Sequence, residues 1–278
     1  MILIADSGST KTDWSLLTLD NEIRKFQTIG MNPYFIDAEG IENELGKNLL
    51  PFVNIQSIDK VFFYGSGCSS IQTKEVIREP LEAFFRYAEI EIEHDLLAAA
   101  RALCGKNKGI ACILGTGSNS CLYDGNNIIE NVPSVGYFFG DEGGGAYLGK
   151  MLITAYLRNE LPNDLKQSFE VTYSYRFDHI LDAIYKQAFP NRFLASFSIF
   201  LLKNVSHPFV NQLIFDAFDK YFYYQISRYS NFKDYNLSCT GSVGYHYKDI
   251  FLKVAQKWEV KVNEMSKTPM QGLINFHY

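Results

Sequence analysis

Three short glycine-rich segments, far apart in the chain, constrain most strongly how this protein can fold. They are residues 6–12 (DSGSTKT), 114–119 (LGTGSN) and 239–244 (CTGSVG). Each directly follows a short apolar run that is typical of a buried strand. Glycines and small polar residues after a strand leave backbone N–H groups free to face an anion. One such loop would be a weak signal, but three at strand ends predict a nucleotide site shared by two related halves.

Composition and charge exclude several classes of protein. Of the 278 residues 47% are apolar and 21% are charged, which is typical of a globular chain. The net charge is -5, and acidic and basic residues are mixed along the chain. We therefore expect no nucleic-acid partner and no membrane partner. Phosphate binding would then have to come from loop amides and a metal ion.

The cysteines indicate the redox compartment. There are five, an odd number, and no two of them form a C-x-x-C pair. Several lie in apolar runs, so we expect reduced thiols in a cytoplasmic protein. A zinc or iron–sulfur site is disfavoured because its usual ligand spacing is missing.

The order of predicted elements repeats along the chain. Residues 1–108 read as β-β-β-α-β-α-β-α, and a similar order begins at residue 109. We predict an α/β fold with two domains, 1–108 and 109–278. The second domain carries a helical insertion at about 158–207, and a terminal helix that opens at Pro269 is expected to pack back on the first domain. Two further predictions near the end are a helix at 246–256 and a strand at 258–262.

The first loop has the groups that a phosphate site needs. Its backbone amides and hydroxyls could donate to phosphate, Lys11 could add a charge, and Asp6 at the strand end could hold a magnesium ion. The candidate phosphate-binding residues are Ser7, Gly8, Ser9, Thr10, Lys11 and Thr12. An ordinary hairpin turn explains this segment equally well, and it is not a Walker A loop because no helix follows.

The other two loops follow the same logic. Gly115, Thr116 and Gly117 are candidates for phosphate binding. Gly241, Ser242 and Val243 lie between a strand and a helix, where glycines could let a flat ring lie against the backbone. Taken singly, the first is also typical of a hairpin turn and the second of a plain βα turn.

Acidic residues between these loops could supply further chemistry. Asp95 follows a strand and opens a helix, so it is either a simple N-cap or a general base that accepts a hydroxyl proton. Asp141 lies in the run 140–145 (GDEGGG) and could cap the next helix or bind two sugar hydroxyls. The glycine triplet there indicates close approach to a ligand or a hinge. Asn32, before a proline, is a turn residue or a substrate contact.

Taken together, these segments resemble the superfamily of sugar kinases, actin and heat-shock chaperones. Within it the chain resembles the BadF/BadG/BcrA/BcrD ATPase family, and specifically its N-acetylglucosamine kinase branch. The resemblance covers nearly the whole chain and is carried by four segments: 4–12 (IADSGSTKT), 94–95 (HD) with the alanine-rich helix, 114–119 (LGTGSN) and 140–143 (GDEG).

The resemblance implies two ribonuclease-H-like domains with an interdomain ATP site. Loops 7–12 and 115–118 would take the phosphates and 241–243 the adenosine, while Asp6 matches a metal-associated aspartate and Asp95 a catalytic one. The positions that match amino-sugar contacts are Asn32, Ser118, Asn119, Gly136 and Asp141.

One departure from the family concerns the sugar. The typical Gly-Trp-Gly stretch reads Ser134-Val135-Gly136-Tyr137 here, close to the implied sugar contacts. The cysteines that hold an iron–sulfur cluster in the dehydratase activators have no counterpart.

We therefore predict an ATP- and Mg²⁺-dependent kinase for the 6-hydroxyl of N-acetylglucosamine. The alternatives are a kinase for glucosamine or N-acetylmuramic acid, and a non-catalytic ATP-binding sensor or assembly protein. A homodimer through the aromatic-rich second half is also predicted.

Overall fold

The computed structural model describes residues 1–8, 10–20, 22–174 and 177–278, so Ser9 of the first loop lies outside the described residues. The chain forms two compact units. The first consists of Met1–Lys106, Gly125–Asn127 and Pro269–Tyr278, and the second of Asn107–Asp124 and Ile128–Thr268. Within the described residues, no helix is both long enough and apolar enough to cross a bilayer.

The first unit is built on a five-stranded mixed sheet. Its strands are β1 (Ile2–Ser7), β2 (Lys11–Leu17), β3 (Ile23–Ile29), β4 (Lys60–Gly65) and β5 (Glu89–His94). The spatial order is β3-β2-β1-β4-β5. Strand β2 is antiparallel to both of its neighbours, β1 and β3, whereas β4 is parallel to both β1 and β5. The carboxyl ends of β1, β3, β4 and β5 therefore lie at the same edge of the sheet.

Three helices follow the strands of this sheet: α1 (Ala38–Asn48), α2 (Ile71–Phe84) and α3 (Asp95–Cys104). In α2, Ser70 and Thr73 form a capping box that satisfies the first backbone N–H groups. The helix continues through Pro80. Buried Ile, Leu and Phe side chains from α1, α2 and the strands form the core.

The second unit contains another five-stranded mixed sheet. Its strands are β6 (Gly109–Leu114), β7 (Ser118–Tyr123), β8 (Ile128–Glu130), β9 (Leu237–Thr240) and β10 (Val262–Ser266), in the order β10-β9-β6-β7-β8. The strand predicted at 258–262 was wrong, because Glu259 turns with a φ of 59° and pairing with β9 begins only at Val262. Apolar residues alternate around Val260, and this pattern predicts a strand that starts before the observed β10.

The helices of the second unit are α4 (Gly136–Phe139), α5 (Gly145–Leu157), α6 (Asn163–Thr172), α7 (Phe177–Tyr185), α8 (Pro190–Ser196), α9 (Ser198–Lys203), α10 (Pro208–Tyr224), α11 (Ser242–His246) and α12 (Lys248–Lys257). The single helix predicted at 246–256 is replaced by α11 and α12, which meet at Tyr247. The segment predicted as a helical insertion contains α6 to α9. Many aromatic side chains of α10 lie in the core, among them Phe218, Tyr221 and Phe222.

The last helix, α13 (Met270–His277), belongs to the first unit. Its buried side chains Met270, Leu273 and Ile274 share a small core with residues that include Ile4 and Ala98. The ring of His277 stacks on Phe62 with 3.7 Å between ring centroids.

A polar network continues from this histidine. His277 Nε2 lies 2.8 Å from the Tyr64 hydroxyl, and Arg101 donates to the same hydroxyl at 2.7 Å. Burial is the main cause that lowers the pKa of His277 to about 4, and the positive charge of Arg101 lowers it further.

This network predicts that the first unit loses stability in mild acid. Between pH 6.5 and about 4 the unfolded chain protonates His277 while the folded chain does not, so stability falls as the pH falls through this window. We expect His277→Gln to lose less stability than the wild type between pH 7 and pH 4.5, as measured by urea unfolding. The matched control is His246→Gln, at an exposed histidine, which should keep the loss seen in the wild type. An equal loss in all three proteins would contradict the prediction.

Candidate active site

The first sheet brings several predicted site residues to one edge. Asp6 is the next-to-last residue of β1, Ser66 directly follows β4, and Asp95 directly follows β5. Because these three strands are parallel, their carboxyl ends meet at that edge. Asn32 joins them, since it follows β3, which runs in the same direction as β1.

Two carboxylates at this edge influence each other. Burial is the main cause that raises the pKa of Asp6 to about 7, and the negative charges of Asp95 and Asp13 raise it further. Burial also raises the pKa of Asp95, while His94 and hydrogen bonds from the Leu96 N–H and the Ser66 side chain oppose that shift. A cation bound here would relieve the repulsion between the two carboxylates.

The interpretation of Asp95 as the helix N-cap was wrong. The N-cap of α3 is His94, whose backbone is extended and whose Nδ1 accepts the Leu97 N–H at 3.3 Å. Burial lowers the pKa of His94, which keeps this nitrogen an acceptor. Asp95 is the first residue of α3, and its carboxylate accepts the Leu96 N–H of the first turn from inside the helix and not from the N-cap position.

Two hydroxyls of the first loop, those of Ser7 and Thr12, bond within the protein. Thr12 Oγ1 donates to the carbonyl of Ile29 at 2.9 Å, and Ser7 Oγ accepts the Met31 N–H at 3.0 Å. The two hydroxyls lie 2.8 Å apart, so Ser7 donates to Thr12. These bonds fix the loop against the end of β3.

Gly8 and Lys11 of the first loop also have partners within the protein. The Gly8 N–H donates to the Lys11 carbonyl at 3.0 Å, and the Lys11 ammonium pairs with Asp13 at 2.7 Å. Thr10 is exposed. Phosphate binding by Ser7 and Thr12 therefore stays a prediction that would require them to exchange internal bonds.

Asn32, which follows β3, is almost fully buried. Its side-chain Oδ1 accepts the Tyr34 N–H at 3.0 Å, and its carbonyl accepts the Phe35 N–H at 2.8 Å. This geometry is an Asx turn. A contact between Asn32 and a sugar stays a prediction.

In the second unit the second and third loops touch. They follow β6 and β9, which are parallel neighbours, so both leave the same edge of the sheet. Gly241 has a φ of 115°, and a side chain there would overlap the Leu114 carbonyl. Glycine is required at this position both for the backbone conformation and for the approach of the two loops. The Gly115 N–H donates to the Gly117 carbonyl at 3.0 Å, which closes the second loop as a tight turn.

Asp141 points to the second loop. Its carboxylate accepts hydrogen bonds from the Ser118 N–H and the Ser134 side chain, and burial raises its pKa while Lys150 opposes the shift. Helix α5 begins at Gly145 with Gly144 as its N-cap, so the interpretation of Asp141 as the helix cap was wrong. Three residues separate Asp141 from the first helical turn.

The glycine triplet 143–145 allows the backbone of α5 to contact the second loop. A methyl group at Gly144 would lie 2.7 Å from the carbonyl carbon of Gly117. The N–H groups of Gly145 and Ala146 donate to the carbonyls of Gly115 and Thr116, each at 2.8 Å. The close approach expected from this triplet is therefore to the protein's own loop.

Ser118 carries a buried hydroxyl that lacks a partner among the described residues. Such a group costs free energy unless a ligand or water bonds to it. On its neighbour Asn119, Oδ1 accepts the Ser120 N–H at 2.9 Å and the Asn131 side chain at 3.1 Å. Gly136 has a φ of 72°, and the space beside its Cα is open.

Three side chains that act on Asp95 or Asp141 were not identified from the sequence. Ser66 hydrogen-bonds Asp95, Ser134 hydrogen-bonds Asp141, and Lys150 acts electrostatically on Asp141. The strand-end position of Ser66, between Gly65 and Gly67, is a signal that could have found it. Lys150 lies inside a helix and carries no such signal.

The acidic groups of the first unit fit a magnesium ion held mainly by nucleotide. Among the described residues, no group of three or more His, Cys, Asp or Glu side chains could hold a metal. Mg²⁺ usually takes one or two protein carboxylates together with phosphate oxygens and water. Asp6, at the end of β1 beside Asp95, supplies a carboxylate of this kind.

Comparison with solved structures shows which proteins this chain is similar to. A "putative N-acetylglucosamine kinase" from Porphyromonas gingivalis is 41% identical, with a TM-score of 0.95 over 100% of this chain and 98% of that one. A protein of the same description from Chromobacterium violaceum is 16% identical, with a TM-score of 0.74 over 100% and 98%. A ROK-family glucokinase from Streptomyces griseus, in complex with glucose and AMPPNP, is 14% identical, with a TM-score of 0.53 over 99% and 97%.

No protein-family model matches the chain, so its place in the BadF/BadG/BcrA/BcrD family stays a prediction. No curated protein matches it either. The two more distant structures confirm the α/β fold with two mixed five-stranded sheets. With 41% identity over its whole length to the Porphyromonas gingivalis protein, the chain belongs to the sugar kinase family of that protein, within the actin-like ATPase superfamily.

Proposed function

We propose that this protein transfers the γ-phosphoryl group of ATP to the 6-hydroxyl of N-acetylglucosamine. The observation that carries the proposal is the partly buried carboxylate of Asp95 at the strand edge that also holds Asp6. The 41% identity to a protein named as an N-acetylglucosamine kinase supports the choice of substrate.

Asp95 is the proposed general base. Its carboxylate would accept the proton of the sugar hydroxyl while that oxygen attacks the γ-phosphorus and ADP leaves. Burial raises the pKa of Asp95 and thereby makes it a better proton acceptor than an exposed aspartate. The bond from the Ser66 side chain orients the carboxylate.

The glycine-rich loops are the proposed ATP contacts. Residues 7–12 and 115–117 would bind phosphates through backbone N–H groups, and residues 241–243 would contact the adenosine. Asp6 would hold the magnesium ion, which neutralises charge on the phosphates when bound.

The second unit supplies most of the proposed sugar contacts. The Asp141 carboxylate can accept hydrogen bonds from two neighbouring sugar hydroxyls. The unpartnered hydroxyl of Ser118 would gain a bond from the sugar, which would remove the cost of leaving it unsatisfied. Asn119, Gly136 and Asn32 are the further proposed contacts.

A coupled assay of ADP release tests the function. We expect the fastest release with N-acetylglucosamine, and slower release with glucosamine, N-acetylmannosamine and N-acetylmuramic acid. If ATP binds but none of these sugars is phosphorylated, the sensor or assembly alternative is favoured. The predicted homodimer is tested separately by sedimentation at micromolar concentration.

A further inference from the structure

Residues 134–141, called here the 134–141 loop, are closed at their two ends. The Asp141 N–H donates to the Ser134 carbonyl at 3.1 Å, and the Ser134 side chain bonds the Asp141 carboxylate. Within the loop the Gly140 N–H donates to the Gly136 carbonyl at 2.8 Å. Asp141 is therefore bonded to the start of this loop through both its backbone and its side chain.

The middle of the loop gains little from packing. Val135, Phe138 and Phe139 are exposed by 61%, 70% and 80%. Val135 also has a φ of 54°, a left-handed conformation that is costly for a β-branched residue. A strained and exposed segment keeps one conformation only if specific bonds hold it.

Lys150 provides such a bond from the adjacent helix α5. Its ammonium donates to the carbonyl of Tyr137, in the middle of the loop, at 3.3 Å. The ammonium also lies 5.1 Å from the ring centroid of Tyr147, which is itself buried and bonded to Lys220 at 3.3 Å. The Lys150 ammonium therefore makes a cation–π contact with Tyr147 of its own helix and a hydrogen bond to the 134–141 loop.

The charge of Lys150 acts on the same residues. Its positive charge opposes the effect of burial on both Asp141 and Glu142, and Lys220 does the same for Glu142. A neutral side chain at position 150 would remove both the bond to the loop and this attraction to Asp141.

We propose that Lys150 is a positioning residue for the sugar. Its ammonium fixes the 134–141 loop through the Tyr137 carbonyl and so places Gly136 and the Asp141 carboxylate where sugar hydroxyls bind. This inference rests on the proposed function, because it takes Gly136 and Asp141 as sugar contacts.

The test compares Lys150→Met with Lys150→Arg. Methionine keeps an apolar stem over Tyr147 but lacks the ammonium, so sugar binding has to order the 134–141 loop without the bond to Tyr137. We expect KM for N-acetylglucosamine to rise about tenfold, which corresponds to the free energy of one hydrogen bond to a charged group. The values of kcat and KM for ATP should change less than about twofold, as for an effect on ground-state sugar binding. Arginine should restore most of the sugar affinity. The matched control is Lys253→Met, at an exposed helix lysine of the same unit, which should behave as the wild type.

Calorimetric titration of N-acetylglucosamine without ATP gives a second readout, and it should show the same tenfold ratio. An unchanged KM and sugar affinity in Lys150→Met, or a loss that arginine does not restore, would overturn the inference. A wild type that binds the sugar without phosphorylating it would contradict the proposed function alone, since the binding ratio still decides the role of Lys150. A wild type that does not bind the sugar would overturn both.

Discussion

Replacing Asp95 with asparagine is expected to lower kcat by about 10²- to 10⁴-fold, the usual contribution of a positioned general base. Asparagine keeps the size of the side chain and can still accept the Leu96 N–H and the Ser66 bond, but it cannot take up a proton. The affinity for ATP should change little. Steady-state kinetics with N-acetylglucosamine, together with a nucleotide-binding titration, measures both effects.

The matched control for this variant is Asp37→Asn. Asp37 is the N-cap of α1, where its side chain accepts the Gly40 N–H at 2.9 Å, and asparagine caps a helix equally well. This control should keep wild-type kinetics and wild-type stability. If Asp95→Asn retained more than about a tenth of the wild-type kcat, the assignment of Asp95 as the base would be refuted.

Gly144→Ala is expected to destabilise the second unit strongly. The new methyl group would lie 2.7 to 2.9 Å from backbone atoms of Gly117, which cannot rotate out of the way as a side chain can. Overpacking of this kind costs about 2–3 kcal/mol, so the melting temperature should fall by roughly 5–10 °C. Thermal unfolding of the purified variant measures this change. Activity should fall as well, because the second loop and Asp141 are displaced together.

Gly115→Ala, in the second loop that Gly144 contacts, is the matched control. A methyl group there meets no other atom within 4 Å, so the melting temperature should stay close to that of the wild type. If phosphates approach this loop, the same methyl group raises KM for ATP. Equal melting temperatures for Gly144→Ala and Gly115→Ala would contradict the packing argument.

The sequence predicts the strands and loops of this fold well because their signals are local. Short apolar runs followed by glycines marked β1, β6 and β9, and the structure confirms these strands. The prediction that Asp95 follows a strand and opens a helix is confirmed by β5 and α3, although the N-cap is His94.

The errors concern backbone geometry at element ends and contacts between separate segments, which local sequence patterns do not show. His94 competes with Asp95 for the cap, and the choice depends on the backbone geometry at the end of β5. The glycine triplet near Asp141 gave no indication of its partner, because the contact is with Gly117, more than twenty residues earlier. Lys150 was missed since its bond to Tyr137 depends on how α5 lies against the 134–141 loop.

The place of α13 has a consequence for how the chain folds during synthesis. The second unit interrupts the first in sequence, and the first is completed only by residues 269–278. When residues 1–106 leave the ribosome, the apolar surface of Ile4 and Ala98 that Leu273 and Ile274 later cover is still in contact with water. A nascent chain stopped before Pro269 should therefore be cleaved by proteases in its N-terminal part, even where its second unit is already resistant.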